Sequence, residues 1–370
     1  MNPAHTNPFN DNSGKPLIAF DQSVYSSGTT HAGALRNTLR LAQHCEQLGY
    51  RRFWVSEHHN NPAIVGSAPE ILLGALTALT SQIRIGAAGV LLPFYAPFKV
   101  AEQFNVLEAL APGRIDLGLG RSPGGDGNAF RALNPGGSGD RLKFDSKIRE
   151  LCAWLLKQTP PGAADGDPDT DSLAGLNTLP HNPGVAQPWV LVTSIEGARS
   201  AGRLGLAMCF NYSAEQSVGI LEPAFDAYRR AFRPGPFLSA PYSALMFFAL
   251  AADTDEHARY LFSSRGLWRT RLDQGLREPL ASPEIAAAYP YSAEQRSRIE
   301  GQLERNLVGK PQDLMQRIHR LVAQAGADEI GMNCWTFSLQ DRLRSFELLA
   351  AAHRNTNSRT AAETVSGAHR

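Results

Sequence analysis

Glu57, His58 and His59 close the segment FWVSEHHN, residues 53–60. If that segment is a strand, its side chains alternate between two faces. Trp54, Ser56 and His58 then share one face, and Phe53, Val55 and Glu57 share the other. Phe53 and Val55 belong against covering helices, which turns His58 toward the interior side of a sheet. Three readings compete. Neighbouring histidines can bind a metal, but adjacent strand positions diverge and no third ligand has suitable spacing. They can be a structural pair with satisfied ring nitrogens. Or His58 is an acid or base in catalysis, steadied by the Glu57 carboxylate or by backbone groups.

A second constellation lies in residues 90–125, VLLPFYAPFKVAEQFNVLEALAPGRIDLGLGRSPGG. It reads as loop, helix, tight turn, apolar strand and Gly-Arg loop. Asp116, Gly118 and Gly120 share the inward face, where glycines leave room that side chains would otherwise fill. Arg121 follows and can hold a phosphate through paired hydrogen bonds. The bland alternative is a glycine-rich strand end with a solvated arginine. GLGRSPGG is not a dinucleotide turn, because Pro123 stands where the last glycine belongs. Ala87, Ala88 and Gly89 are small enough to lie against a flat ring or to admit a closely packed helix. In VTSIEGA (192–198), Thr193, Ser194 and the N–H groups of a following helix would suit a phosphate. Ser194 serves equally well as an N-cap.

These residues need elements to position them. Strands are predicted at 17–20, 51–57, 83–89, 115–120, 189–193, 207–211, 240–252 and 328–333. Helices are predicted at 32–48, 68–80, 98–110, 141–157, 198–204, 215–232, from 253, at 311–325 and at 339–353. Gly49 offers a C-cap, and Pro69 falls in a first turn where its missing N–H costs little. Eight strands alternating with helices imply a parallel sheet and suit an α/β fold of the (β/α)8 TIM-barrel type. A doubly wound sheet would place a glycine-rich turn after the first strand, and DQSVYSSGTT (21–30) lacks one. In a barrel, function gathers at the C-terminal ends of the strands, where His58 and Arg121 both fall. The expected organisation is a polar leader (1–16), one barrel domain (17–353) and a disordered tail (354–370). Loop insertions are expected near 122–140, 158–188 and 263–309.

Composition narrows the partners. The 370 residues carry 36 Lys and Arg against 35 Asp and Glu, a net charge of +1. That gives no electrostatic case for nucleic acid or an anionic membrane. The opening MNPAHTNPFNDNSGKP has no apolar core of the signal-peptide kind, and no apolar run reaches membrane-spanning length. Cys45, Cys152, Cys209 and Cys334 are scattered without a CxxC pair, which points to a reducing cytoplasm and no zinc site.

The motifs together resemble the bacterial luciferase-like flavin monooxygenases, in the branch of small FMN-dependent oxygenases. The resemblance covers almost the whole chain. It runs from DQSVYSSGTT through FWVSEHHN, IRIGAAGVLLP, KVAEQFNVLEALAPGRIDLGLGR and VTSIEGARSAGRLGL to the closing VGKP, DLMQRIHRL and DRLRSFELLA segments. It implies a TIM barrel with the flavin across the mouth and His58 beside the flavin's reactive edge, with Glu57 next to it. Ala88 and Gly89 match the small pair beside the flavin ring, often joined by a cis peptide. Arg121 matches the phosphate-binding arginine, Glu102 a helix carboxylate near the flavin pocket, and Thr193, Ser194 and Gly197 the phosphate loop at the fifth strand. Two departures stand out. Gly120 occupies the position of the luciferase cysteine, and Gly197 replaces an expected phosphate-contacting hydroxyl.

The chemistry so implied begins with reduced FMN from a separate flavin reductase, since no NAD(P)H motif is visible. Oxygen adds to the flavin, and the resulting peroxide oxygenates a small organic substrate, with the protein excluding water and controlling protons. The loops at 122–140 and 263–309 would close over the substrate. The resemblance also admits a deazaflavin (F420) enzyme that transfers hydride, and a non-catalytic flavin-binding partner subunit, which retention of His58 disfavours. A homodimer in the cytoplasm is expected.

Overall fold

In a computed structural model describing residues 14–122, 124–134, 143–158, 175–212 and 219–367, eight parallel strands close on themselves. They are β1 (Leu17–Asp21), β2 (Arg52–Val55), β3 (Arg84–Val90), β4 (Ile115–Leu119), β5 (Gln187–Val192), β6 (Ala207–Asn211), β7 (Ser243–Ala251) and β9 (Glu329–Asn333). Each pairs with its neighbours in that order, and β9 returns to β1. A short β8 (Leu307–Gly309) adds to the far end of β7. The (β/α)8 barrel expected from the alternation is therefore the fold.

The first-half helices are α1 (His31–Gln47), α2 (Pro69–Leu79), α3 (Pro97–Leu110), α4 (Gly127–Leu133) and α5 (Phe144–Leu155). In the second half follow α6 (Ile195–Leu204), α7 (Leu221–Ala231), α8 (Asp255–Asp273), α9 (Pro283–Ala288), α10 (Ala293–Arg305), α11 (Pro311–Ala325) and α12 (Leu339–Gly367). Local chemistry fixes their ends. Thr30 Oγ1 accepts from the Gly33 N–H to start α1, and Gly49, at φ +83°, follows its last turn. Pro69 opens α2 at the position its sequence suggested.

The core has two shells. Phe53, Val55, Ile85, Leu117 and Leu119 point out from the strands into the layer beneath the helices. Inside the barrel, Trp54 and Trp189 meet edge to face at 5.1 Å, packed with Ile18, Cys209, Ala244 and Met246. Below this plug lies a charged layer. Arg52 donates to Glu329 from Nε at 2.8 Å and Nη2 at 2.9 Å, and to both oxygens of Asp116 at 2.8 Å. Arg84 and Trp54 Nε1 also donate to Asp116, and Tyr242 to Glu329. Asp116 faces inward as alternation requires, and the Arg52 and Arg84 charges hold its carboxyl below the usual range despite full burial.

Where the sequence suggested featureless insertions, the structure builds helices. Residues 263–309 continue α8 to Asp273 and then form α9, α10 and β8. Only Gln302 is buried in α10, so the helix carries no apolar stripe for periodicity to detect. Its signal was the capping box Ser292–Gln295. Helix α4 begins the 122–140 insertion; residues 123 and 135–142 lie outside the described residues, as do 1–13 of the leader, 159–174 of the 158–188 loop and 213–218. Helix α12 runs to Gly367 through residues that composition assigned to a disordered tail. The stretch is polar in composition but contains good helix formers such as Arg359, Ala361, Ala362 and Glu363. Among the described residues no helix is long and apolar enough to cross a membrane.

Candidate active site

Burial changes sign along the inner wall. Trp54 and Trp189 are fully buried, Ala88 and Leu191 further along the strands are half-buried, and Thr193 is exposed. The barrel is thus plugged at its centre and open at the C-terminal end of its strands, where loops rather than packing decide what a side chain meets.

His58 stands on that rim. Its N–H donates to the Gly66 carbonyl at 2.9 Å, and its Nδ1 lies 2.9 Å from Ser56 Oγ. Ser56 is buried, so the imidazole is held at one nitrogen and Nε2 has no partner among the described residues. Burial, with neighbouring His59, pushes His58 down to about 4 against the pull of Glu57. The ring is therefore neutral at pH 7 and can exchange a proton at Nε2. It lines a cavity of about 420 Å³ whose wall also includes His31, Asn60, Ile64, Ser67 and Arg277.

Glu57 is turned away from this cavity, on the opposite face of the chain. Its Oε1 accepts from Tyr95 Oη at 2.6 Å and lies 2.8 Å from His59 Nε2, while Oε2 accepts from the Leu91 N–H at 2.9 Å. The carboxylate that the sequence set beside His58 thus serves His59 and the turn after β3. Strand alternation persists past the last ladder bond, and this is its consequence.

The two glycines of β4 do different things. A Cβ on Gly118 would collide with the Ala87 carbonyl, so this glycine admits the neighbouring backbone rather than a ligand. A Cβ on Gly120 would meet only Leu91 Cδ2 at 3.5 Å and Val90 O at 3.8 Å, which is ordinary contact. Gly118→Ala is expected to destabilise the protein by about 1–3 kcal/mol. Gly120→Ala is expected to shift stability by less than about 0.5 kcal/mol. Urea unfolding of the two variants side by side checks the contrast. Equal losses would show that both glycines serve packing.

Arg121 and Thr193 are exposed at the ends of adjacent strands, β4 and β5. No hydrogen bond or ion pair among the described residues occupies the Arg121 guanidinium. Ala88 and Gly89 lie on β3 next to them, joined by a cis peptide. Ser194 is the N-cap of α6, and its Oγ accepts from the Gly197 N–H at 3.1 Å. The capping reading of Ser194 is thus what its geometry shows, and Gly197 is the residue it caps. Exposed Glu196 pairs with Arg199 and, at 2.9 Å, with Arg203. Glu102 belongs to α3, where its partner is Lys99 at 3.5 Å.

The rim carries residues that sequence reasoning passed over. Gln22 Oε1 accepts from Asn333 Nδ2 at 2.7 Å and Trp335 Nε1 at 2.9 Å, tying the ends of β1 and β9. Arg265 of α8 lies 4.2 Å above the Phe248 ring. Arg277, between α8 and α9, crosses to Asp126 and to the Asn60 carbonyl. Each link joins segments far apart in the chain, and no local motif announces it. Among the described residues, no group of three or more His, Cys, Asp or Glu side chains is placed to hold a metal ion.

A plugged barrel with a neutral histidine and an uncommitted arginine on its open rim can be set against known proteins. The sequence profile of the luciferase-like monooxygenases matches residues 17–329. An N-acetyl-S-alkylcysteine monooxygenase of Bacillus subtilis is 37% identical over 308 residues, covering 82% of this chain and 88% of that protein. A luciferase-like monooxygenase of Escherichia coli is 33% identical over 334 residues, covering 90% and 96%. The crystal structure of apo-MsnO8 superposes with a TM-score of 0.80 at 33% identity, covering 91% of this chain and 98% of that one. With barrel and sequence in agreement along nearly its full length, the chain belongs to the luciferase-like monooxygenase family, and its chemistry is that of an oxidoreductase.

Proposed function

We propose that the protein is an FMN-dependent monooxygenase that uses reduced FMN and O2 to oxygenate a small organic substrate. The observation that carries this reading is the presence on one rim of His58 and Arg121, whose Nε2 and guanidinium have no hydrogen-bond partner among the described residues. The residues present fit a flat, phosphate-bearing group. Ala88 and Gly120 offer a small-residue wall, while Gly89, like Gly118, is closed by its neighbours, Gly118 and Leu191; Arg121, Thr193 and the half-buried start of α6 offer phosphate donors. Reduced FMN, when bound, supplies the electrons that activate oxygen; its delivery falls to a separate flavin reductase in the cytoplasm. His58 takes or returns a proton at Nε2 beside the reacting atoms. Glu57 is a positioning residue that fixes the turn carrying Leu91 and Tyr95.

The test mixes the protein anaerobically with reduced FMN, admits oxygen and follows the flavin absorbance, with F420 in a parallel arm. A protein-controlled phase slower than free-flavin reoxidation is expected with FMN. Tight F420 binding without any FMN effect would replace the reading with hydride transfer. The pH behaviour of His58 gives a second check. A histidine NMR titration, assigned with His58→Asn, is expected to leave its ring signals unshifted from pH 8 to pH 5, because protonation awaits a pH near 4. Titration near the ordinary histidine value of about 6.5 would show that the ring is not desolvated in this site.

The assembly is proposed to be a homodimer through α2 and α3. Ile71 is 70% exposed, Val106 48% and Leu110 60%, an apolar face that a second copy would cover. Sedimentation of the protein and of Leu110→Glu, expected to be dimer and monomer respectively, decides this.

A further inference from the structure

The cavity beside His58 is lined by an unusual set of groups for an oxygenase pocket meant for apolar molecules. At about 420 Å³ it is small, near the lower end of ligand sites. Its wall presents two histidines, two asparagine side chains, a serine and one full cation, Arg277, and no carboxylate. Glu57, the acidic residue next to His58 in sequence, spends both oxygens on His59, Tyr95 and Leu91 on the other face.

Arg277 is held in the wall rather than loose. Its Nη1 lies 3.0 Å from Asp126 Oδ2, and its Nη2 donates to the Asn60 carbonyl. Asn60 sits in the left-handed region at φ +49°, and its own Nδ2 donates to Asp126 Oδ2 at 2.9 Å. Asp126 is fully engaged, because Oδ1 also accepts from the Asn128 and Ala129 N–H groups at the start of α4. A guanidinium has more N–H donors than these two bonds use. Its charge is shared with Asp126, while its remaining donors stay available at a fork whose orientation is already fixed. Orienting a side chain before the ligand arrives removes an entropy cost from binding.

We propose that this cavity takes a small organic substrate bearing a carboxylate, and that Arg277 is the group that binds the carboxylate while His58 faces the rest of the molecule. Asp126 and Asn60 are positioning residues that aim Arg277. The inference rests on the monooxygenase reading for what happens to the bound molecule, but the binding itself does not need it.

Calorimetric titration of the protein, with and without FMN, uses N-acetylmethionine and its methyl ester as probes of nearly equal size and shape. The acid is expected to bind at least tenfold more tightly than the ester, and rising salt is expected to narrow the gap. Arg277→Met, which keeps an apolar stem and removes the charge, is expected to abolish the preference at unchanged Tm. Arg277→Lys is expected to retain part of it. Acid and ester binding equally, a preference untouched by Arg277→Met, or no saturable binding of the acid would each overturn the proposal. If the acid preference holds but reduced FMN and oxygen behave as they do without protein, the monooxygenase reading fails and the carboxylate site stands.

Discussion

His58→Ala is expected to lower substrate oxygenation by about 10²–10⁴-fold, the usual worth of a positioned proton-transfer group. Reduced FMN should bind as before, because the phosphate donors proposed here, Arg121 and Thr193, stand on β4 and β5 rather than on the His58 loop. The loss should therefore fall on kcat rather than on the flavin's Kd. Folding gives little reason to confound the result. Among the described residues the ring makes one side-chain hydrogen bond, to Ser56, while the His58 backbone N–H keeps its bond to the Gly66 carbonyl in these variants. His58→Gln serves as a companion that retains a polar tip without a titratable ring. Rapid-quench measurement of product against oxygen consumed separates lost chemistry from uncoupled oxygen use. Unchanged product formation in His58→Ala would remove the residue from the reaction and leave it as part of the rim.

Arg52→Met is expected to cost about 3–5 kcal/mol of stability, read from urea unfolding monitored by tryptophan fluorescence. The arginine is fully buried between Asp116 and Glu329, so its removal leaves two carboxylates in the barrel with only part of their bonding. Arg84 still reaches Asp116 and Tyr242 still reaches Glu329, which keeps the loss from being larger. The sign with pH follows from the same bonds. In the parent protein the Asp116 carboxyl is held low, so its contribution is present above the ordinary carboxylate range and lost as pH falls through the folded value. In Arg52→Met that carboxyl is held less low, so the deficit is expected to shrink as pH falls below the ordinary carboxylate value of about 4. Replacing Arg52, Asp116 and Glu329 together by apolar residues should be far milder than the single change. A single change costing under about 1 kcal/mol would show that water reaches the layer.

The parts of this molecule that were legible in the sequence are those governed by near neighbours in the chain. The eight strands alternate with amphipathic helices, and each pattern repeats within a few residues. The inward turn of His58 follows from counting by twos from Phe53 and Val55, whose apolar character names the outer face. Ser194 could be read either as a cap or as a ligand for phosphate, because one hydroxyl at a helix start serves both, and only the bond from the Gly197 N–H decides its present use. What stayed hidden depends on the closing of the barrel. Arg52 and Glu329 are 277 positions apart and meet only because β9 returns to β1. Gly118 looked like space for a ring, yet the space is taken by Ala87 of the adjoining strand. Arg277 lies in a stretch without apolar rhythm, and its partners come from loops after β2 and β4.

Glu57 joins two walls of the mouth through one carboxylate: His59 on the loop after β2, and Leu91 and Tyr95 on the turn after β3. The His59 N–H in turn donates to Gly124, on the loop beyond Arg121. The loops after β2, β3 and β4 are therefore fastened to one another as a single collar, and a displacement of one is opposed at the other two.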